Sequence, residues 1–185
     1  MGSVLAKRAS MEKADNKSQA EKFLRAYDQL VEGLFRFAAF RVSNKETAED
    51  LVSQVFLRTW EYVQKGNEVQ HWKVFLYRTL SNLVVDHYRS KKYETKSLDG
   101  LGDENKFEIV DEAQLPSVIQ QNSEARLIVA SFAKLPSEQR DILWWRYVED
   151  LDVFEIASLT GKKPASVYVS IHRALKKARA INSKK

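Results

Sequence analysis

Cysteine is absent from the 185 residues, and that absence excludes a disulfide framework, thiolate metal sites, iron–sulfur clusters and cysteine nucleophiles. Histidine occurs three times, as His71, His87 and His172, too far apart in sequence to suggest a ligand set. The six glycines (Gly2, Gly33, Gly66, Gly100, Gly102, Gly161) form no phosphate-cradling loop. No run approaches the roughly 20 apolar residues of a membrane span, and Val4-Leu5-Ala6 is too short for the core of a signal peptide. Together these absences argue against cofactor, nucleotide and metal enzymes and against membrane insertion, and place the chain in the cytoplasm.

What is present is charge and helix-forming periodicity. There are 30 Lys and Arg against 25 Asp and Glu, and 44% of the residues are hydrophobic, enough to build a core. The charge is segregated. Residues 94–122 hold two basic groups against seven acidic ones, whereas the segments on either side each carry a net +5. From Thr160 to Lys185 there are eight basic residues and no acid, the electrostatic footprint of nucleic-acid contact. The acidic stretch includes Gly100, Gly102 and Pro116, lacks a sustained apolar period and reads as a linker, either a solvated spacer or an acidic strand for a basic channel on a partner.

Apolar residues recur at helical spacing almost everywhere else. Glu21 to Val42 reads as one helix, and Thr47 to Val63 as a second, restarted by a capping-box pattern over Ser43–Glu46. A third runs from His71 to Lys92, after a loop at 64–70 marked by Gly66 and Asn67. Further helices are expected at 121–134, 136–148, 152–159 and 164–180, with Pro136 and Pro164 at starts that need no N–H. Asp152 and Glu155 form a D-x-x-E cap, and Thr160–Lys163 is a four-residue glycine turn between two helices, the spacing of a helix-turn-helix. The expected fold is all-α, with two small helical domains joined by an acidic linker. Residues 1–19 are expected as a flexible tail, 20–93 and 123–182 as the domains, and 94–122 as the linker.

In a helix-turn-helix the second helix enters the major groove. Its outward residues include Ser166, Tyr168, Ser170, His172, Arg173, Lys176 and Lys177; Tyr168, His172 and Arg173 reach bases or phosphates, and Lys162, Lys163, Lys176 and Lys177 suit phosphates. The 72–93 stretch interleaves Trp72, Phe75, Tyr77, Tyr88 and Tyr93 with five basic groups, which suits stacking of single-stranded bases but equally a helical core. The helix from Thr47 has an acidic start (Glu46, Glu49, Asp50), with Gln54, Phe56 and Trp60 further along. Composition alone does not separate a protein-docking face from favourable helix-dipole chemistry there.

Two stretches, AEDLVSQVFLRTW at 48–60 and WKVFLYRTLSNLVVDHYR at 72–89, resemble region two of bacterial sigma factors. LPSEQRDILWWRYVEDL at 135–151, Glu155-Ile-Ala157 and His172-Arg-Ala174 resemble region four. The short length and bare linker are similar to the extracytoplasmic-function group. The resemblance implies a protein without catalytic activity, metal or cofactor that binds core RNA polymerase, at its clamp coiled-coil and flap, and promoter DNA. It implies core-polymerase contacts at Glu49, Asp50, Gln54, Phe56 and Trp60. It implies −10 contacts at Gln64, Lys65, Asn67, Trp72, Arg78, Asn82, Asp86 and Arg89, around a pocket for a flipped base. It implies −35 contacts at Lys162, Lys163, Ser166, Tyr168, Ser170, His172, Arg173 and Lys176. An anti-sigma factor is left open as a further partner.

Family recognition helices carry an apolar and a small capping residue before the helix, then a basic residue and an Arg on the DNA face. This chain has Lys162, Lys163, Tyr168 and Ser170 there, so the packing of the turn and the −35 sequence do not carry over, while phosphate binding does. A stand-alone helix-turn-helix regulator is the competing reading; it leaves the 47–93 pattern without a role. A protein that only sequesters polymerase, and a helical enzyme built on Glu49 and Asp50, are the others.

Overall fold

The computed structural model describes residues 2–42, 44–96, 130–132 and 134–182, with side chains described over 18–42, 44–91, 130–132 and 134–181. Six helices are described in full: α1 (Gly2–Arg41), α2 (Lys45–Gln64), α3 (Trp72–Lys96), α4 (Ser137–Tyr147), α5 (Val153–Thr160) and α6 (Pro164–Asn182). No strand occurs among the described residues. Most of the expected linker and of the helix expected at 121–134 lies outside them.

The first three helices form a bundle. Leu34, Phe37, Ala38 and Phe40 of α1 meet Leu51, Val52 and Val55 of α2 and Leu76, Leu80, Leu83 and Val84 of α3, all buried. The α1 positions recur every three or four residues, so one stripe of the helix leaves water, the dominant favourable contribution to such a fold. Three expectations shift here. Helix α1 begins at Gly2, not near residue 21, so the expected tail is helical backbone over 2–19; its alanines, lysines and glutamate are strong helix formers with no interrupting proline. The cap of α2 is Asn44, whose Oδ1 accepts from Thr47 N at 2.8 Å; Ser43, where the expected pattern starts, lies outside the described residues. Gln64 closes α2 instead of opening the loop.

The last three helices form the second unit. Asp152 caps α5 with a full capping box: its Oδ1 accepts from Glu155 N at 2.7 Å, and its own N–H donates to Glu155 Oε2 at 2.9 Å. Gly161 ends α5 at φ +69°, where a Cβ would be strained, and so allows the sharp turn into α6. Val167, Ile171, Ala174 and Ala178 carry α6 onto the core, with Leu175 half-buried.

The two units do not stand apart. Their apolar side chains form one continuous core. The Trp144 ring of α4 stacks on Phe40 of α1 at 4.2 Å, and Trp145 packs on Phe37 at 5.6 Å between ring centres. The Arg140 guanidinium lies over the Phe40 ring at 5.6 Å.

Candidate functional site

Three surfaces carry the residues singled out from the sequence. The first lies on α2. Glu49, Asp50 and Gln54 are exposed along it, beside a groove of about 490 Å³ between α1 and α2 lined by Tyr27, Val31, Glu32, Phe35, Glu49, Val52, Ser53 and Phe56. Phe56 departs from its expected place. It is buried, its ring 4.6 Å from Tyr27 and 6.1 Å from Phe23, because its position on α2 turns it toward α1. It therefore shapes the groove from within. Trp60 is half-buried against Phe23 at 5.1 Å.

The second surface is the 65–71 loop with the outer face of α3. Asn67 Nδ2 donates to the Tyr62 carbonyl at 2.9 Å and holds the loop's entry, where Gly66 turns at φ +80°. Lys65, Asn82, Asp86 and Arg89 are exposed, as is Gln64 just before the loop. Asp86 and Arg89 lie 3.9 Å apart as a surface pair, a contact of little energetic weight in water. Trp72 is half-buried, its ring 6.1 Å from Phe23. Arg78 is exposed too, and its guanidinium donates to the Ser158 carbonyl of α5.

The third surface is α6. Ser166, Tyr168, His172, Arg173 and Lys176 are exposed on it, and Ser170 is half-buried. Tyr168 is 60% exposed and Val169 48%, large exposures for apolar surface that suit contact with base edges and thymine methyls. Lys163 is exposed in the turn. Lys162 is not a free phosphate contact, for its ammonium pairs with Glu138 at the start of α4. An ion pair to α4 stands where the resembling family places an apolar contact. Among the described residues no group of three or more His, Asp or Glu is placed to hold a metal ion, and no helix is long and apolar enough to cross a membrane.

One cluster was not singled out from the sequence. Glu149, in the turn after α4, is buried; its Oε2 accepts from the Tyr77 hydroxyl of α3 at 2.6 Å and lies 3.5 Å from the Arg36 guanidinium of α1. Its Oε1 accepts from Trp144 Nε1 at 3.1 Å, and its carbonyl accepts from Lys73 Nζ at 2.6 Å. Burial, and then the Glu149 charge, push the Tyr77 phenol well above its ordinary range, so Tyr77 is the donor. Nearby, buried Arg41 of α1 pairs with buried Asp141 of α4. Burial pushes the Asp141 carboxyl up, against the opposing pull of Arg41 and Arg140. The one legible signal was Gly33. A Cβ there would stand 2.7 Å from both Glu149 Oε2 and Tyr77 Oη.

The chain matches Sigma-70 region 2 over residues 26–93 and Sigma-70, region 4 over residues 125–177. It is 31% identical over 163 residues to the ECF RNA polymerase sigma factor BldN of Streptomyces coelicolor, the match covering 85% of this chain and 59% of BldN. It is 24% identical over 164 residues to the ECF RNA polymerase sigma factor SigW of Bacillus subtilis, covering 85% of this chain and 87% of SigW. The chain thus spans less than two thirds of the length of BldN but most of SigW. In fold it resembles the sigma factor RpoE in complex with the anti-sigma factor NepR from Bartonella quintana, with a TM-score of 0.68 at 19% identity over 88% of this chain and 98% of that one. It likewise resembles CnrH in complex with the cytosolic domain of CnrY, with a TM-score of 0.67 at 16% identity over 94% and 96%.

Proposed function

The chain belongs to the ECF RNA polymerase sigma factors, and on that premise we propose that it binds core RNA polymerase and directs it to promoters. The observation that carries the reading is the pairing, in order, of a region-two bundle with a region-four helix-turn-helix, each presenting an exposed polar face.

The α2 face of Glu49, Asp50 and Gln54, with the groove shaped by Phe56 and flanked by Trp60, docks on the polymerase clamp coiled-coil. Region four takes the flap. The loop after α2 and the α3 face with Asn82, Asp86 and Arg89 receive the non-duplexed −10 strand. Extruding a base costs a few kcal/mol, so a preformed pocket selects which base is worth extruding. Helix α6 lies in the major groove of the −35 duplex, with Tyr168, His172 and Arg173 toward base edges and Lys163 and Lys176 toward phosphates. The acidic stretch 94–122 passes through channels otherwise used by RNA, which suits its excess of acid over base.

On this reading the chain has no catalytic activity of its own, needs no cofactor and works in the cytoplasm beside the polymerase. RpoE is seen with the anti-sigma factor NepR and CnrH with the cytosolic domain of CnrY, and the first of these supports an anti-sigma factor as a further partner. The test is run-off transcription with the purified chain and core polymerase on a pool of genomic fragments. Discrete starts that require the chain are expected. Tight duplex binding by the chain alone, with no transcripts, would instead establish a stand-alone operator-binding regulator.

A further inference from the structure

We propose that the first turns of α6 read thymine: the exposed apolar ridge of Ala165 and Val169 meets the C5-methyl groups of a thymine-bearing step in the −35 major groove, and Val169 sets this preference. The inference rests on the sigma-factor reading above and names the base that its −35 helix selects.

The ridge follows from the register of the helix. Val169 stands two residues after buried Val167 and two before buried Ile171. At about 3.6 residues per turn it lies about 160° around the helix from each, so it faces away from the core. Ala165 is one turn earlier on the same face, and both are exposed. Continued along the helix, this stripe passes through His172 and Lys176, also exposed. Its start is thus apolar and its far end cationic. Ser166 and Tyr168 flank the start on either side, and both are exposed.

The charge around the ridge selects DNA as its occupant. No acid occurs from Thr160 to Lys185; Lys163 precedes the ridge, and Arg173 and Lys176 follow it. A polyanion matches these flanks, whereas an apolar protein groove would have to desolvate them.

Which base is read follows from what the first half of the helix lacks. In a helix-turn-helix that half contacts base edges. The commonest specific contact is Arg or Lys on O6 and N7 of guanine, adenine is gripped by Asn or Gln, and cytosine donates to Asp or Glu. None of these six residue types occurs from Pro164 to His172, and the first cation of α6 is Arg173. Lys162, in the turn before, is held by Glu138. What this half does offer at its outermost positions is aliphatic. Among the four bases only thymine carries an apolar group, its C5-methyl, into the major groove. Covering that methyl with Val169 removes apolar surface of both from water.

Thymine and uracil differ by that methyl alone, which makes the test direct. The holoenzyme selects −35 sequences from a promoter library randomised there, and each thymine of the selected element, on either strand, is replaced in turn by deoxyuridine. At one or two positions the replacement is expected to weaken binding about fourfold, the effect of one buried methyl group. Val169→Ala trims an exposed side chain and favours the helix, so the chain still folds. It should abolish the difference between thymine and uracil at one of these positions. Lys176→Ala should weaken binding to both duplexes alike, as loss of a phosphate contact does. Equal binding of thymine and uracil at every position would overturn the proposal, as would a selected element without thymine. A difference that Val169→Ala leaves intact would overturn the role of Val169 and leave the ridge to a protein partner. If no binding or start depends on the chain together with polymerase, the sigma-factor reading falls. The same selection and replacement with the chain alone on duplex DNA then decide the ridge, and failure to bind duplex in either form would overturn both readings.

Discussion

The Tyr77 hydroxyl donates to Glu149 Oε2 across 2.6 Å, joining α3 to a turn 72 residues further along the chain. Both groups are buried, and the phenol keeps its proton because burial and the neighbouring carboxylate oppose its loss. The contact links the first helical unit to the second, so a change at one of the two proposed DNA faces is expected to be felt at the other.

Asp50→Arg reverses charge on an exposed position of the α2 face without touching the core. It should weaken binding to core polymerase about tenfold, on the order of 1.4 kcal/mol, and leave the thermal midpoint unchanged. Equilibrium binding with labelled chain checks the first part and a melting curve the second. Unaltered affinity would move the polymerase contact off this face.

Asn82→Ala, or replacement of the 65–71 loop, should alter which −10 sequences are used while polymerase binding persists. Asn82 is exposed on α3, so folding is not at stake. Start sites mapped on a promoter library with the variant holoenzyme provide the measurement. If the loop replacement abolished polymerase affinity and left promoter choice intact, the assignment of the two surfaces would be wrong.

Arg173→Ala and Lys176→Ala each remove one exposed cation from α6. Each should reduce the slope of log affinity against log salt by about 1 for holoenzyme binding to a promoter duplex, as expected for one lost phosphate contact. A slope unchanged in both variants would show that α6 lies away from the DNA.

Asp152→Ala removes the capping box of α5, in which side chain and backbone satisfy each other at 2.7 and 2.9 Å. The expected cost is about 1 kcal/mol, read as a lowered denaturation midpoint. Because α5 positions the turn into α6, −35 duplex binding should weaken in step. Asp152→Asn, which keeps an acceptor oxygen, should recover most of the loss.

Burial holds the Asp141 carboxyl above its ordinary value of 3.8, although Arg41 and Arg140 pull it down. Between the ordinary and the raised value, the folded chain keeps a proton that the unfolded chain has released. The stability linked to this group is therefore fully present in acid below the ordinary value and is lost as pH rises through the raised one. The denaturation midpoint followed from about pH 4 to 7 should carry this falling contribution in the parent and lose it in Asp141→Asn. A slope that survives in Asp141→Asn would assign it to another group.

Helix existence, order and approximate ends were legible because they depend on near neighbours. The apolar period of Leu51, Val52, Val55 and Thr59, the Asp152–Glu155 cap and the Gly161 turn each act within a few residues, and each is found in the structure. The two family-like regions were legible for the same reason: long local patterns in a fixed order. The α1 start was misplaced because residues 2–20 are mostly polar or small and carry no sustained apolar period, although helix propensity persists.

The placement of individual side chains was not legible. Phe56 carries the same chemistry whether it faces solvent or Tyr27, and only the packing of α1 on α2 buries it. Lys162 reads as one more cation until α4 brings Glu138 beside it. Arg41 and Asp141 are 100 residues apart, and no spacing rule connects them. Local periodicity and composition thus determined by themselves that this chain is two helical units, the second ending in a basic helix. Only the tertiary structure decided that the units meet, because a shared core and pairs such as Tyr77–Glu149 depend on distances between segments that the sequence places far apart.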